Sequence, residues 1–108
     1  MAEVFVCPCC GYEGLDHRPY QRLSGPPVSA DARPPYEAYF GMPSYEVCAC
    51  CGFEFGNDDN PGTAAPVSFR SYLNEWVADG AEWFSPDKQP ADWSLHHQLR
   101  AAGITPPD

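Results

Sequence analysis

The sequence predicts a small α+β domain organised around a bound metal ion. Two β-hairpins with Cys-x-x-Cys-Gly turns pack on one long amphipathic helix and a shorter C-terminal helix. Three observations predict this. A cysteine-rich octapeptide occurs twice. One long segment places its apolar residues on one face at helical spacing. Thirteen prolines in 108 residues make the chain about twice as proline-rich as usual. A chain of this length buries roughly 65% of its unfolded surface, so a loop-rich domain of this size gains from a staple. The six cysteines are the candidates. The chain reads as one domain over 1–108.

The repeat comes first in the chain. Residues 6–13 read Val-Cys-Pro-Cys-Cys-Gly-Tyr-Glu and residues 47–54 read Val-Cys-Ala-Cys-Cys-Gly-Phe-Glu, with six of eight positions identical. Two copies are too few for a solenoid and fit two half-sites facing one ion. Val4-Phe5-Val6 and Tyr45-Glu46-Val47 lead into the turns, and Phe53-Glu54-Phe55 alternates as a short strand does. Residues 16–35 hold five prolines and read as a loop. The aromatic stretch 36–47 is expected to return and pack near the site. Asn57-Asp58-Asp59-Asn60-Pro61-Gly62 reads as a solvated turn, because its spacing matches no calcium loop.

The main helix is expected over 68–84, with Ser68 as N-cap. At 100° per residue, Phe69, Tyr72, Leu73, Trp76, Val77, Trp83 and Phe84 fall within an arc of about 140°, with Arg70, Glu75 and Glu82 opposite. That face is expected to bury Trp76 and Trp83 against the hairpins. Gly80 lies within the arc, where glycine costs about 1 kcal/mol relative to alanine. A weaker helix is expected over 92–102, capped by Asp92 and ended by Gly103, with a frayed tail at 105–108.

Paired Cys-x-x-Cys-Gly turns point to metal. The spacing puts two sulfurs on one side of a tight turn, and Gly11 and Gly52 supply the positive φ such a turn needs. Cys7, Cys10, Cys48 and Cys51 then close a tetrahedral site. The 37 residues between Cys10 and Cys48 add little closure cost, because that cost grows slowly with length. Cys9 and Cys50 hold equivalent positions inside the turns. The glycine follows the last cysteine in both copies, so the outer spacing is preferred and Cys9 and Cys50 read as small turn residues whose sulfurs do not bind, with a redox pair or alternative ligation as the other readings. Spacing leaves zinc and iron both open. His17, His96 and His97 read as surface residues, since adjacent helical histidines point about 100° apart.

The N-terminus has no basic start or long apolar run, so a cytosolic chain without a membrane helix is expected. In that compartment clustered cysteines bind metal or do redox chemistry more often than they form disulfides. Net charge is −9, and six scattered Lys and Arg residues give phosphate little to bind. Nucleic acid is therefore an unexpected partner, and a basic protein fits better. No acid–base pair or activated nucleophile is visible, and four thiolates leave zinc no open position, so no enzyme is expected.

Two resemblances follow from the quoted motifs. Cys7-Pro8-Cys9-Cys10-Gly11-Tyr12 and Cys48-Ala49-Cys50-Cys51-Gly52-Phe53 resemble the iron-binding turns of rubredoxin, as does Asn60-Pro61-Gly62-Thr63. The order differs, because in rubredoxin that segment lies between the turns, and here 57 residues follow Cys51. Zinc is therefore favoured, with an iron electron carrier as the alternative. Over more of the chain, residues 5–12, Tyr45 to Asp59 and Ser71 to Phe84 resemble the bacterial cysteine-rich CPCC family. That resemblance implies a zinc-ribbon-like fold. By gene association it also implies a toxin-immunity protein acting through protein–protein contact. Cys50 departs from that family's commoner second turn.

Overall fold

The computed structural model describes residues 3–29 and 31–107, with helices α1 (Glu37–Phe40), α2 (Phe69–Ala78) and α3 (Leu95–Ala102) and a 3-10 turn at Pro86–Lys88. The radius of gyration is 13.0 Å, close to the roughly 13 Å of a compact 100-residue domain. No helix among the described residues is long and apolar enough to cross a membrane.

The expected hairpins are reduced to single bridges. Phe5 pairs antiparallel with Leu15 across the first cysteine turn, and Val47 with Glu54 across the second. The chain therefore reverses at each turn, but no strand is present among the described residues. The arms diverge at once for local reasons. Val6 N–H donates to Ser24 O rather than extending the first ladder. After Glu54 the chain turns, with Asn57 and Asp58 N–H both on Glu54 O. Gly56 sits at φ 100°, and a Cβ there would lie 2.5 Å from Pro43, so the turn and the return of the 43–45 segment need this glycine. Glu46 ties the two arms together by accepting from the N–H groups of Asp16 and His17 at 2.8 and 2.9 Å. Residues 16–29 and 31–35 form the expected irregular loop, apart from bridges of Tyr20 to Leu23 and Pro43.

α2 begins as the sequence indicates, with Ser68 Oγ accepting from Ser71 N–H at 3.1 Å. It ends at Ala78, six residues before the expected end. Gly80 is the cause. At φ 111° its N–H bonds Val77 O while Ala81 N–H bonds Trp76 O, the pair of hydrogen bonds that closes a helix with a left-handed glycine. Gly80 is thus a stop signal and not a gap in an apolar face. Trp83 and Phe84 lie in the following extended segment and diverge, Trp83 being 6% exposed and Phe84 63%. Trp76 is half-buried, with Nε1 donating to Glu82 O at 2.8 Å. The single deeply buried tryptophan is therefore Trp83. It also lines an open surface cavity, so water can fill part of the space left by truncation. Trp83→Ala is expected to cost about 3 kcal/mol in chemical denaturation, at the low end for large-to-small aromatic changes, and more than Trp76→Ala.

α3 starts at Leu95, with Ser94 in place of Asp92 as the cap. It ends on Gly103 as expected, with the same two-bond closure: Gly103 N–H on Arg100 O and Ile104 N–H on Leu99 O. Residues 105–107 continue without helix, and Asp108 lies outside the described residues.

The core is aromatic. Tyr36 stacks on Phe69 with centroids 4.0 Å apart, and Tyr20 meets Tyr36, Phe40, Phe55 and Phe69 at 6.0–6.3 Å. Phe53 joins this cluster to Phe69 and Tyr72. The aromatic stretch after residue 35 thus does return to the core, with Tyr36 buried and Phe40 half-buried, while Tyr39, Met42 and Tyr45 stay exposed.

Asp59 corrects the reading of its segment as a solvated turn. It is fully buried among these rings and accepts three hydrogen bonds: Tyr20 OH (2.8 Å) and Tyr36 N–H (3.0 Å) on Oδ2, and Gly56 N–H (2.8 Å) on Oδ1. Burial, and then the charge of Asp59, hold the Tyr20 phenol well above its ordinary range, so it remains a donor.

Candidate metal centre

The two cysteine turns fold alike because they carry the same hydrogen bonds. In the first, Gly11 N–H donates to Cys7 O (2.8 Å) and Cys7 N–H to Tyr12 O (2.8 Å). In the second, Gly52 N–H donates to Cys48 O (2.9 Å) and Cys48 N–H to Phe53 O (3.0 Å). Gly11 and Gly52 have φ of 87° and 84°, the left-handed conformation expected of them.

The turns face each other with approximate two-fold symmetry. The first cysteine of one turn meets the last of the other: Cys7 to Cys51 at 3.9 Å and Cys10 to Cys48 at 3.7 Å. All four sulfurs lie within 4.8 Å of one another, and all four residues are buried. Four sulfurs at ~2.3 Å from a central ion stand about 3.8 Å apart along each edge of the tetrahedron. These two pairs across the turns match that edge, so the donor set fits a tetrahedral ion.

The charge balance fits as well. Burial pushes the Cys7 thiol up to about 12 and the Cys10 and Cys51 thiols well above their ordinary value. Cys48 is buried too, but the hydrogen bonds of Cys10, Cys51 and Cys7 outweigh burial and pull it well below. A divalent ion would supply the positive charge that lets all four ionise.

Cys9 and Cys50 are buried but stand outside the four-sulfur group, and each meets a different helix. Cys9 Sγ donates to Phe69 O at 3.5 Å, at the start of α2. Cys50 Sγ accepts from Gln98 Nε2 on α3 at 3.5 Å. His96 and His97 are exposed on α3, and His17 pairs with Glu46 at 3.3 Å. None of the three joins the cluster.

A supporting shell holds the turns. Tyr72 OH donates to Cys51 O at 3.1 Å. Phe84 and Ser85 N–H donate to Cys50 O (3.0 Å) and Ala49 O (2.8 Å). Gln98 Nε2 also donates to Cys10 O at 2.9 Å, while its Oε1 accepts from Trp93 Nε1 at 2.9 Å. Gln98 thus touches both turns from one helix. A Cβ on Gly11 would lie 2.9 Å from Ala102 Cβ, so α3 seats directly on the first turn. Gln98 carries a faint signal: at 100° per residue it lies about 60° from Leu95 and about 40° beyond Ala102, at the edge of the apolar stripe of Leu95, Leu99 and Ala102. Gln98→Ala is expected to cost about 1–2 kcal/mol, because the buried Cys10 carbonyl and Trp93 indole lose their partner. Equilibrium urea unfolding measures it, and a change within error would show the contacts to be dispensable.

The fold and this cluster define a small cysteine-rich protein whose four paired sulfurs can hold a metal ion. The chain is similar to two proteins of Bacillus subtilis (strain 168), the uncharacterized proteins YoaQ and YozI. It is 24% identical to YoaQ over 100 residues, covering 83% of this chain and 71% of YoaQ. It is 22% identical to YozI over 102 residues, covering 85% of this chain and 72% of YozI. No family model matches the sequence, and no solved structure matches it.

Proposed function

We propose that the protein is a cytosolic zinc protein in which Cys7, Cys10, Cys48 and Cys51 hold one structural ion, and that it acts by binding another protein. One observation carries this reading: the cluster consists of four buried cysteine sulfurs and no other donor among the described residues. Four thiolates complete a tetrahedron, leaving no position for water or substrate, which is the pattern of structural rather than catalytic zinc. With no strand and three short helices among its described residues, the chain has little regular hydrogen bonding to hold it, so the ion serves as the staple. The paired Cys-x-x-Cys-Gly turns also suit iron, which shares the four-sulfur geometry. Colour separates the two, since ferric thiolate is red and zinc thiolate colourless. A red protein that passes electrons reversibly would replace this reading with an iron carrier.

The charge supports a basic protein partner. At −9 the chain is strongly acidic, and four thiolates with one divalent ion make it two units more so. Such a surface speeds encounter with basic proteins, including nucleases whose clefts attract phosphate, and this is the form a toxin-immunity role would take. Glu75 and Glu82 are exposed and available for contact, whereas Asp59 is spent on the core. In addition, Tyr39, Met42 and Tyr45 are 48%, 70% and 53% exposed within one short stretch of sequence, apolar anchors of the kind interfaces use. The association rate with a basic protein encoded beside this gene is expected to fall as salt rises, because the Debye length shortens from about 10 Å at 0.1 M to 3 Å at 1 M. Stopped-flow mixing at several salt concentrations measures this. Tight, salt-sensitive binding of the chain to DNA or RNA instead would sink the reading.

A further inference from the structure

A groove of about 550 Å³ opens between the start of α2, the loop residues 26–29 and 32–34, and the residues that follow α3. Its lining departs from the rest of the molecule in charge. The chain has 15 Asp and Glu residues, yet none among the described residues lines the groove, while two of its six Lys and Arg residues, Arg33 and Arg70, do. Both are exposed. Among the described residues, the arginines that bond to protein groups are Arg18, to Glu3 and Gln21 O, and Arg22, to Tyr39 O. Arg33 and Arg70 have no such partner there. A locally cationic groove on a chain of net charge −9 thus keeps two guanidinium forks uncommitted.

A second observation is independent of those arginines. Tyr36 lines the same groove and is 3% exposed. Its oxygen accepts from Phe69 N–H at 3.0 Å, and the hydroxyl hydrogen has no acceptor among the described residues. Buried polar hydrogens are rarely left without an acceptor, and one facing a cavity is satisfied when a ligand supplies the oxygen. The Arg70 N–H in the first turn of α2 also has no intrahelical partner, and the positive end of the helix dipole lies there.

The lining also includes the apolar residues Pro8, Val28, Leu73 and Ile104. Donors and hydrocarbon in one groove select an anion with an apolar body. A carboxylate offers two oxygens to the planar guanidinium forks and an acceptor to the phenol, and the volume lies in the range of about 300–1,000 Å³ typical of small-molecule sites. We infer that this groove binds a small aliphatic carboxylate, its headgroup held by Arg33, Arg70 and Tyr36 and its chain lying on Leu73 and Ile104. None of the four clustered cysteines lines the groove, so this site stands apart from the metal reading.

The test is a titration of the folded, isotope-labelled full chain with octanoate, followed by amide NMR shifts. Saturable shifts are expected at Ser29, Phe69, Arg70 and Ile104. Butanoate should bind more weakly, by up to about fourfold for each buried methylene lost. Inorganic phosphate and octylammonium should bind far more weakly, the first lacking the apolar body and the second carrying the wrong charge. Arg33→Ala and Arg70→Ala should each weaken octanoate about three- to tenfold, the range for one exposed charge-assisted hydrogen bond. Both side chains are exposed, so an unchanged spectrum of the free variants shows the fold intact. Absence of saturable shifts with octanoate, shifts outside the groove, or equal binding of octylammonium would overturn the inference. So would preference for a peptide C-terminus over octanoate, which would make the groove a protein-docking site.

Discussion

Serine at Cys10 or Cys51 is expected to abolish binding of the single metal ion and to unfold the chain, whereas serine at Cys9 or Cys50 leaves one ion bound. The contrast follows from geometry. Cys10 and Cys51 each stand within 3.7–3.9 Å of a sulfur on the opposite turn, so losing either opens the tetrahedron on both sides. Cys9 and Cys50 instead contact Phe69 O and Gln98 Nε2, and a serine hydroxyl can make comparable, though shorter, contacts there. The magnitude is large because the binding free energy of a structural zinc, about 10–16 kcal/mol at neutral pH in small zinc domains, is also folding free energy. It is as large as the total stability of a typical domain, about 5–15 kcal/mol, so the metal-free chain has little left. Native mass spectrometry counts the ion, and circular dichroism with added chelator reads the coupled unfolding. Acidification should release the ion as well, because protons compete for the thiolates. If Cys9→Ser loses the ion while Cys10→Ser retains it, the ligand set is wrong. If chelation removes the ion and the spectrum stays unchanged, the ion is not the staple.

The cysteine turns were legible because chelation is a local demand. Two sulfurs must leave one turn on the same side, so spacing and the following glycine are fixed within a few residues, and the repeat displays them twice. The start of α2 was legible for the same reason, since Ser68 acts within its own first turn. Its end was not. Trp83 and Phe84 fall into the apolar arc at 100° per residue by coincidence, and periodicity alone does not distinguish an interior glycine from the left-handed glycine that stops a helix. The hairpins were over-read, because alternation at Phe53-Glu54-Phe55 reports which side chains turn inward and not whether a ladder continues. One bridge satisfies that alternation here. Gln98 left a faint trace, a polar residue at the edge of an apolar stripe. Asp59 left none. Its tyrosine partners are 39 and 23 residues away in the sequence, and an Asn-Asp-Asp-Asn stretch looks the same whether its third member faces water or the core.

Asp59 therefore carries the second large expected effect. Its two oxygens gather the loop at Tyr20, the start of α1 at Tyr36 and the turn at Gly56, all from one buried position. Alanine leaves three donors without a partner. At about 1–3 kcal/mol for each buried unsatisfied group, and allowing for some relaxation, Asp59→Ala is expected to cost about 3–6 kcal/mol. Asparagine separates hydrogen bonding from shape. It keeps the volume but carries one acceptor oxygen, so its amide NH₂ must face either Gly56 N–H or the donor pair at Tyr20 and Tyr36. Asp59→Asn should therefore lose nearly as much as alanine, while Asp58→Asn, a half-buried neighbour that accepts a single N–H from Glu54, should lose about 1 kcal/mol. The metal site provides the control. The Asp59 variants should still bind one ion in native mass spectrometry, since no cysteine contacts the carboxylate, but should unfold at lower denaturant with the ion bound. A near-neutral Asp59→Asn would mean that Tyr20, Tyr36 and Gly56 find other acceptors, and the aromatic core would then hold its arrangement through packing alone.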